Sequence, residues 1–287
     1  MKILVAVDKS EESQQALRAT CHLLDHMPEA AQVDALYVQP DVVDMVADSS
    51  YAPFAGKREV EKAIEVEAEK VLDTILESCE ICMGGKVPCE PQVAVGDPAD
   101  EILNFAQEGR YDLIVLGAQG RSSLRGFLLG TVHAKILHHA LQPVLIVRNF
   151  RPIQKILVAY RGTQCDQGAL SYIAPLFAKD KPEITIMHVQ ETALGESQEF
   201  AQQCLLTGEE TLRQAGYAPV KKVTQGDFVD EILKAVAVER YDLLVLGAYG
   251  HQRPKYLKIL SDEALNLLRL TTRAVLVYRD YRESGDS

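Results

Sequence analysis

Short runs of Val, Ile and Leu punctuate the first half of the chain at Ile3 to Val7, Val33 to Val38, Gln92 to Val95, Leu113 to Leu116 and Val144 to Val147. Most are continuously apolar rather than alternating, which is the pattern of strands covered on both faces. Between them lie longer segments of helical period, beginning near Ser10, Glu59, Pro98 and Thr131. One helix start is explicit: Asp97 can cap, Pro98 suits the first turn, and Asp100 and Glu101 complement the helix dipole. Strands and helices that alternate in this way, joined by right-handed crossovers, predict an α/β fold with an open, doubly wound parallel sheet. Such sheets bind ligands beyond the carboxyl ends of their strands, where the strand order reverses.

The same pattern then occurs a second time. KILVAVDKSEESQQAL from Lys2 returns as KILVAYRGTQCDQGAL from Lys155, and GDPADEILNFAQEGRYDLIVLGAQG from Gly96 returns as GDFVDEILKAVAVERYDLLVLGAYG from Gly226. Each half closes alike, with PVLIVRNF from Pro143 and AVLVYRDY from Ala274. The first half is longer between its two matched blocks, and the extra length falls in QPDVVDMVADSSYAPFAG after Val38, an irregular connection by composition. With a junction near Asn149 to Ile153, where Pro152 prevents regular continuation, the chain divides into domains 1–149 and 153–287. Each is large enough to close its own core.

After the fourth strand of the first half comes GAQGRSSLRGFLLGTV, from Gly117 to Val132. Gly117 and Gly120 suit positive φ angles and close approach to a ligand, while Gly130 and Thr131 open the next helix. Its free N–H groups and positive dipole end favour a phosphate, and the Thr131 hydroxyl can cap the helix or donate to a phosphate oxygen. Glycines with the spacing Gly-x2-Gly-x9-Gly-[Ser/Thr] between a strand and a helix resemble the nucleotide motif of the universal stress protein family. The resemblance covers nearly all of both halves, with PVLIV as the usual last strand.

That resemblance implies an adenine nucleotide alpha hydrolase-like fold with strand order 3-2-1-4-5, dimers formed through the last strand, and binding of ATP or AMP. A divalent cation, Mg2+ or Mn2+, would accompany the nucleotide. Carried over by position, Val7 and Asp8 would lie beside the adenosine, and the backbone of Val38 would meet the adenine. Leu116 and Gly117 would border the ribose, and Gly120, Gly130, Thr131 and Val132 would hold phosphates. Arg121 and Arg125 either screen phosphate charge or are exposed loop arginines. For Asp8 the alternative role is a turn or cap residue ahead of the helix at Ser10.

The second half keeps Gly247 and Gly250 but has Leu260 at the helix start and Arg161 in the place of Asp8. A leucine side chain there, with Asp262 and Glu263 adding negative charge, is incompatible with ATP bound in the same way. Arg161, Arg253, Lys255 and Lys258 either serve another anion or form a solvated basic loop. The final strands, Val144 to Val147 and Val275 to Val277, would be aggregation-prone if left open, so they are expected to pair across an intrachain axis as a pseudo-dimer. Homodimerisation of the whole chain and an unidentified protein partner are further expectations.

A net charge of −11 opposes general attraction to nucleic acid or to an anionic membrane. No apolar run approaches the roughly 20 residues of a membrane span, so a cytoplasmic protein with reduced thiols is expected. Cys79, Cys82 and Cys89 are spaced either as metal or redox ligands or as small apolar residues at a helix end. His138 and His139 are adjacent on a helix and therefore do not share a face, whereas His133 can touch a nucleotide or face solvent. Walker, dinucleotide-binding, nucleophile-elbow and zincin motifs are absent at suitable positions, and no dedicated catalysis is expected. A nucleotide-binding sensor or regulator of the stress response leads. A slow ATPase, with Asp8 helping to position a metal and a water, and a nucleotide-independent interaction module are the alternatives.

Overall fold

The computed structural model describes residues 1–28, 30–39, 41, 57–83, 89–118, 130–191, 195–248 and 262–279, without the side chains of 57–61 and 79–83. The first half runs β1 (Lys2–Val7), α1 (Glu11–His26), β2 (Gln32–Gln39), α2 (Lys57–Met83), β3 (Cys89–Val95), α3 (Pro98–Glu108), β4 (Leu113–Gly117), α4 (Thr131–His139) and β5 (Val144–Val147). The second repeats it as β6 (Lys155–Ala159), α5 (Gln164–Leu176), β7 (Glu183–Gln190), α6 (Gln198–Gln214), β8 (Val220–Gln225), α7 (Phe228–Glu239), β9 (Leu243–Gly247), α8 (Asp262–Leu270) and β10 (Ala274–Tyr278).

All ten strands form one sheet in the order β3-β2-β1-β4-β5-β10-β9-β6-β7-β8. Each half has the expected 3-2-1-4-5 order, and the halves join where β5 and β10 pair antiparallel, with Leu276 opposite Leu145. The pairing satisfies the backbone groups of two fully apolar edges and leaves only β3 and β8 at the rims. Because successive side chains leave a strand on opposite faces, Ile3 and Val5 enter one apolar layer with Val158 and Tyr160, while Leu4 enters the other with Leu157 and Leu244. Both layers run through both halves.

The first half's edge strand differs from expectation. It begins at Cys89 rather than Gln92, and none of its residues is fully buried. Pro91 is tolerated there because an edge strand lacks one partner. Cys89 is disulfide-bonded, which corrects the expectation of reduced thiols throughout; it lies close in sequence to Cys79 and Cys82, where loop closure costs little. The Cys79 and Cys82 side chains lie outside the described residues. No described helix is long and apolar enough to cross a membrane.

Two arginines fasten the seam reciprocally. Arg148, following β5, donates from Nη2 to the Leu268 carbonyl of α8 at 2.5 Å. Arg279, at the matching position after β10, donates to the carbonyls of Leu137, His138 and Ala140 at the end of α4. Each therefore satisfies carbonyls that a helix C-terminus leaves without intrahelical donors, and places its charge at the negative end of the helix dipole. The junction crosses α1, with the Phe150 amide donating to Gln15 Oε1 at 3.0 Å and the Ile153 amide to His22 Nε2 at 2.9 Å.

Candidate functional site

β1 and β4 are neighbours in the sheet, yet their chains leave toward opposite sides, so the strand order reverses between their carboxyl ends. Val7 is buried at the end of β1, and Asp8 follows it at the surface. The Asp8 carboxylate accepts hydrogen bonds from the Ser10 amide at 2.9 Å and from the Ser10 and Ser13 hydroxyls, while its own amide donates to Ser13 Oγ at 2.8 Å. Partial burial pushes its pKa up, but those hydrogen bonds, helped by nearby His133, outweigh it and hold the carboxyl below its usual range. Asp8 thus fills the expected turn role and remains ionised on the wall of a groove of about 460 Å3 between α1 and α2. Lys9 and Glu67 form an ion pair at 2.8 Å between residues that line the groove's two sides.

Gly117 ends β4 without the positive φ expected of it. What it provides is closeness: a Cβ there would lie 2.2 Å from the Glu12 carbonyl oxygen, so the start of α1 rests against bare backbone. The close approach seen here is to a helix. Leu116 and Val38 are buried at the ends of their strands.

The start of α4 differs from five other helix starts whose caps are described. Ser10, Asp97, Thr163, Ser197 and Asp227 each cap their helices through a side chain, and an acidic residue follows in every first turn. α4 has Gly130 as its N-cap, no side-chain cap bond and no acidic residue in its first turn. Thr131 is the first helical residue and does not cap, which corrects one of its two expected roles. Gly130 and Thr131 are exposed and Val132 is half-buried. Among the described residues, a Cβ on Gly130 would meet one atom within 4 Å, His133 Nδ1 at 3.3 Å. The other ring nitrogen of His133 lies 2.7 Å from the Gly117 carbonyl, tying α4 to the end of β4.

The second half differs at the position of Asp8. Arg161 occupies the Asp8 position, and its guanidinium lies 3.6 Å over the Phe228 ring and 3.3 Å from the Glu191 carboxylate. It is neither available to an anion nor solvated in a loop. The acid has moved to Asp166, at the Ser13 position, where it accepts from the Arg161 and Thr163 amides at 3.0 Å. Burial raises the Asp166 pKa against those hydrogen bonds.

Asp8, Gly117, Gly130, Thr131 and Val132 therefore gather where strand order reverses, with Val7, Val38 and Leu116 behind them. Gly120, Arg121, Arg125, Gly250, Arg253, Lys255, Lys258 and Leu260 lie outside the described residues. His138 is half-buried and His139 exposed, as expected of neighbours on a helix. Among the described residues, no group of three or more His, Cys, Asp or Glu side chains could hold a metal ion. Sequence reasoning missed Ser10 and Ser13 as the holders of Asp8. It also missed Phe228 and Glu191, which come to Arg161 from other parts of the fold; two serines within five residues of an aspartate were a detectable signal for the first pair.

Residues 1–148 and 152–279 each match the universal stress protein family. Universal stress protein YxiE of Bacillus subtilis is 35% identical over 150 residues, spanning 51% of this chain and 98% of its own length. Universal stress protein Sll1388 of Synechocystis is 32% identical over 157 residues, with 52% and 97% covered. The solved structure of a universal stress protein from Archaeoglobus fulgidus shares the fold over 97% of this chain and 98% of that one, with a TM-score of 0.76 at 20% identity. Matched once in each half and sharing this fold nearly end to end, the chain belongs to the universal stress protein family, as a tandem of two such domains.

Proposed function

We propose that the chain binds one adenine nucleotide, ATP or AMP, in the 1–149 domain and acts as a nucleotide-dependent regulator of a cytoplasmic stress response. The observation that carries this reading is the start of α4, which has glycine as its cap and no side-chain cap bond and stands, with Asp8, where strand order reverses. Free helix amides and the positive dipole end suit a phosphate, and here no side-chain cap bond from a described residue competes for them. The adenosine extends toward Val7, Asp8 and the end of β2 at Val38, with Leu116 and Gly117 beneath the ribose; Gly120 and Arg121 complete the phosphate loop. A divalent cation, Mg2+ or Mn2+, enters with the phosphates. The 153–287 domain does not take ATP in this way, because Arg161, Phe228 and Glu191 occupy its matching space.

Titration calorimetry with ATP tests the assignment. One ATP per chain is expected, and Gly130→Leu, which copies Leu260, should lose on the order of 2–4 kcal/mol of affinity through excluded volume and lost amide contacts. Two sites per chain, or undiminished binding by Gly130→Leu, would overturn it.

A further inference from the structure

We propose that His133 contacts the nucleotide's phosphate and takes up a proton as it binds, so that this chain holds phosphorylated ligands more tightly as pH falls. The inference rests on the nucleotide site proposed above and concerns its regulation.

The geometry fixes the tautomer. The Gly117 carbonyl can only accept, so the His133 nitrogen 2.7 Å away, Nε2, carries the hydrogen. In the neutral ring Nδ1 then presents a lone pair, and Nδ1 is the atom that faces Gly130 at the mouth of α4. A phosphate oxygen arriving at the α4 amides meets that lone pair and is repelled. If Nδ1 gains a proton from solvent, the same atom becomes a charged donor to the phosphate, while Nε2–H keeps its bond to Gly117. No covalent bond forms or breaks, and one proton moves from solvent to Nδ1.

Before ligand binds, the surroundings favour the neutral ring. Burial is the largest influence lowering the His133 pKa, and the Arg148 charge beyond β5 adds to it. The bond to Gly117 and the Asp8 carboxylate at the end of β1 oppose these. On α4 itself the nearby cation is Lys135, whose Nζ is engaged by Asp97 at 3.2 Å and Asp100 at 2.6 Å on α3. A phosphate dianion placed against Nδ1 reverses the balance. Between the free and the bound pKa, affinity rises as pH falls, by at most about tenfold per pH unit for a single proton. Adenosine, which lacks the charge, has no such coupling.

The test is calorimetry of ATP and of adenosine binding to the full chain near pH 7, in two buffers of different ionisation heat, with wild type and His133→Asn. Wild type should take up a larger fraction of a proton per ATP than His133→Asn, with the difference vanishing for adenosine. ATP's own protonation is common to both proteins and cancels. The imidazole resonances of wild type give a second measurement that needs no variant: the His133 titration midpoint should move upward when ATP is added. ATP binding with equal proton uptake in both proteins, or with an unmoved His133 midpoint, would overturn the inference while leaving the nucleotide site standing. Absence of any ATP binding would remove the site itself.

Discussion

A single missing methyl group at Gly117 sets how closely α1 approaches β4. The Glu12 carbonyl stands 2.2 Å from the position a Cβ would take, a separation that forces backbone rather than a flexible side chain to move. Gly117→Ala should therefore cost roughly 1–3 kcal/mol, as overpacking does elsewhere, and should displace the turn that carries Asp8. A lower denaturant midpoint at constant slope would register the first effect; an unchanged midpoint would show that α1 shifts without cost. The glycine was legible in the sequence, but its purpose was not. Sequence spacing marks where a side chain is forbidden, whereas the forbidding atom comes from a helix about a hundred residues earlier in the chain. The same holds for Arg161. Its substitution for Asp8 was visible, while its stacking on Phe228 and pairing with Glu191 depend on elements brought together by the sheet.

At the level of elements, the start of α4 forgoes stability that five other helix starts keep. A capping side chain there would satisfy one orphan amide and complement the dipole, yet the chain has glycine at the cap and no acid in the first turn. Gly130→Asp should raise stability by a few tenths of a kcal/mol relative to glycine and abolish phosphate binding, because its carboxylate occupies the same donors. Thermal unfolding and ATP titration of one sample check both halves of that statement; improved stability with intact ATP binding would show that the open start serves another purpose. Strand and helix order were readable because continuous apolar runs and periodic segments are local signals. Of β3 only Gln92 to Val95 was read, since Glu90 and Pro91 interrupt the apolar pattern near its start. The reversal of strand order beside Asp8 was implied by the family resemblance, and the sheet has it.

Over the whole molecule, the two halves are joined by the β5–β10 ladder, by reciprocal arginines and by a junction lying on α1. Arg279→Ala would leave the Leu137, His138 and Ala140 carbonyls without a charged donor and should cost roughly 1.5–3 kcal/mol. Arg148→Ala acts on the other half at Leu268, so similar losses measured by urea unfolding would reveal a symmetric seam, and a loss confined to one variant a lopsided one. The junction adds a dependence on pH. The Ile153 amide donates to His22 Nε2, so that nitrogen must keep its lone pair, and His26 Nε2 at 2.9 Å supplies a second hydrogen to it. His26 Nδ1 lies 3.0 Å from the Asp180 carboxylate without an aligned hydrogen bond. Burial first, and His26 second, lower the His22 pKa below 6.5, against the opposing charges of Asp25, Asp180 and Asp242. A depressed histidine binds fewer protons folded than unfolded, so its contribution is fully present above pH 6.5 and is lost as pH falls through the folded value. Protonation at Nε2 would break the junction's hold on α1. His22→Gln retains an acceptor for the Ile153 amide without titrating, and should flatten the fall in urea midpoint between about pH 7 and pH 5. His133 and His138 are depressed in the same direction and act equally in both proteins, so the difference between the two profiles isolates His22. Parallel profiles would mean that the junction does not respond to this proton.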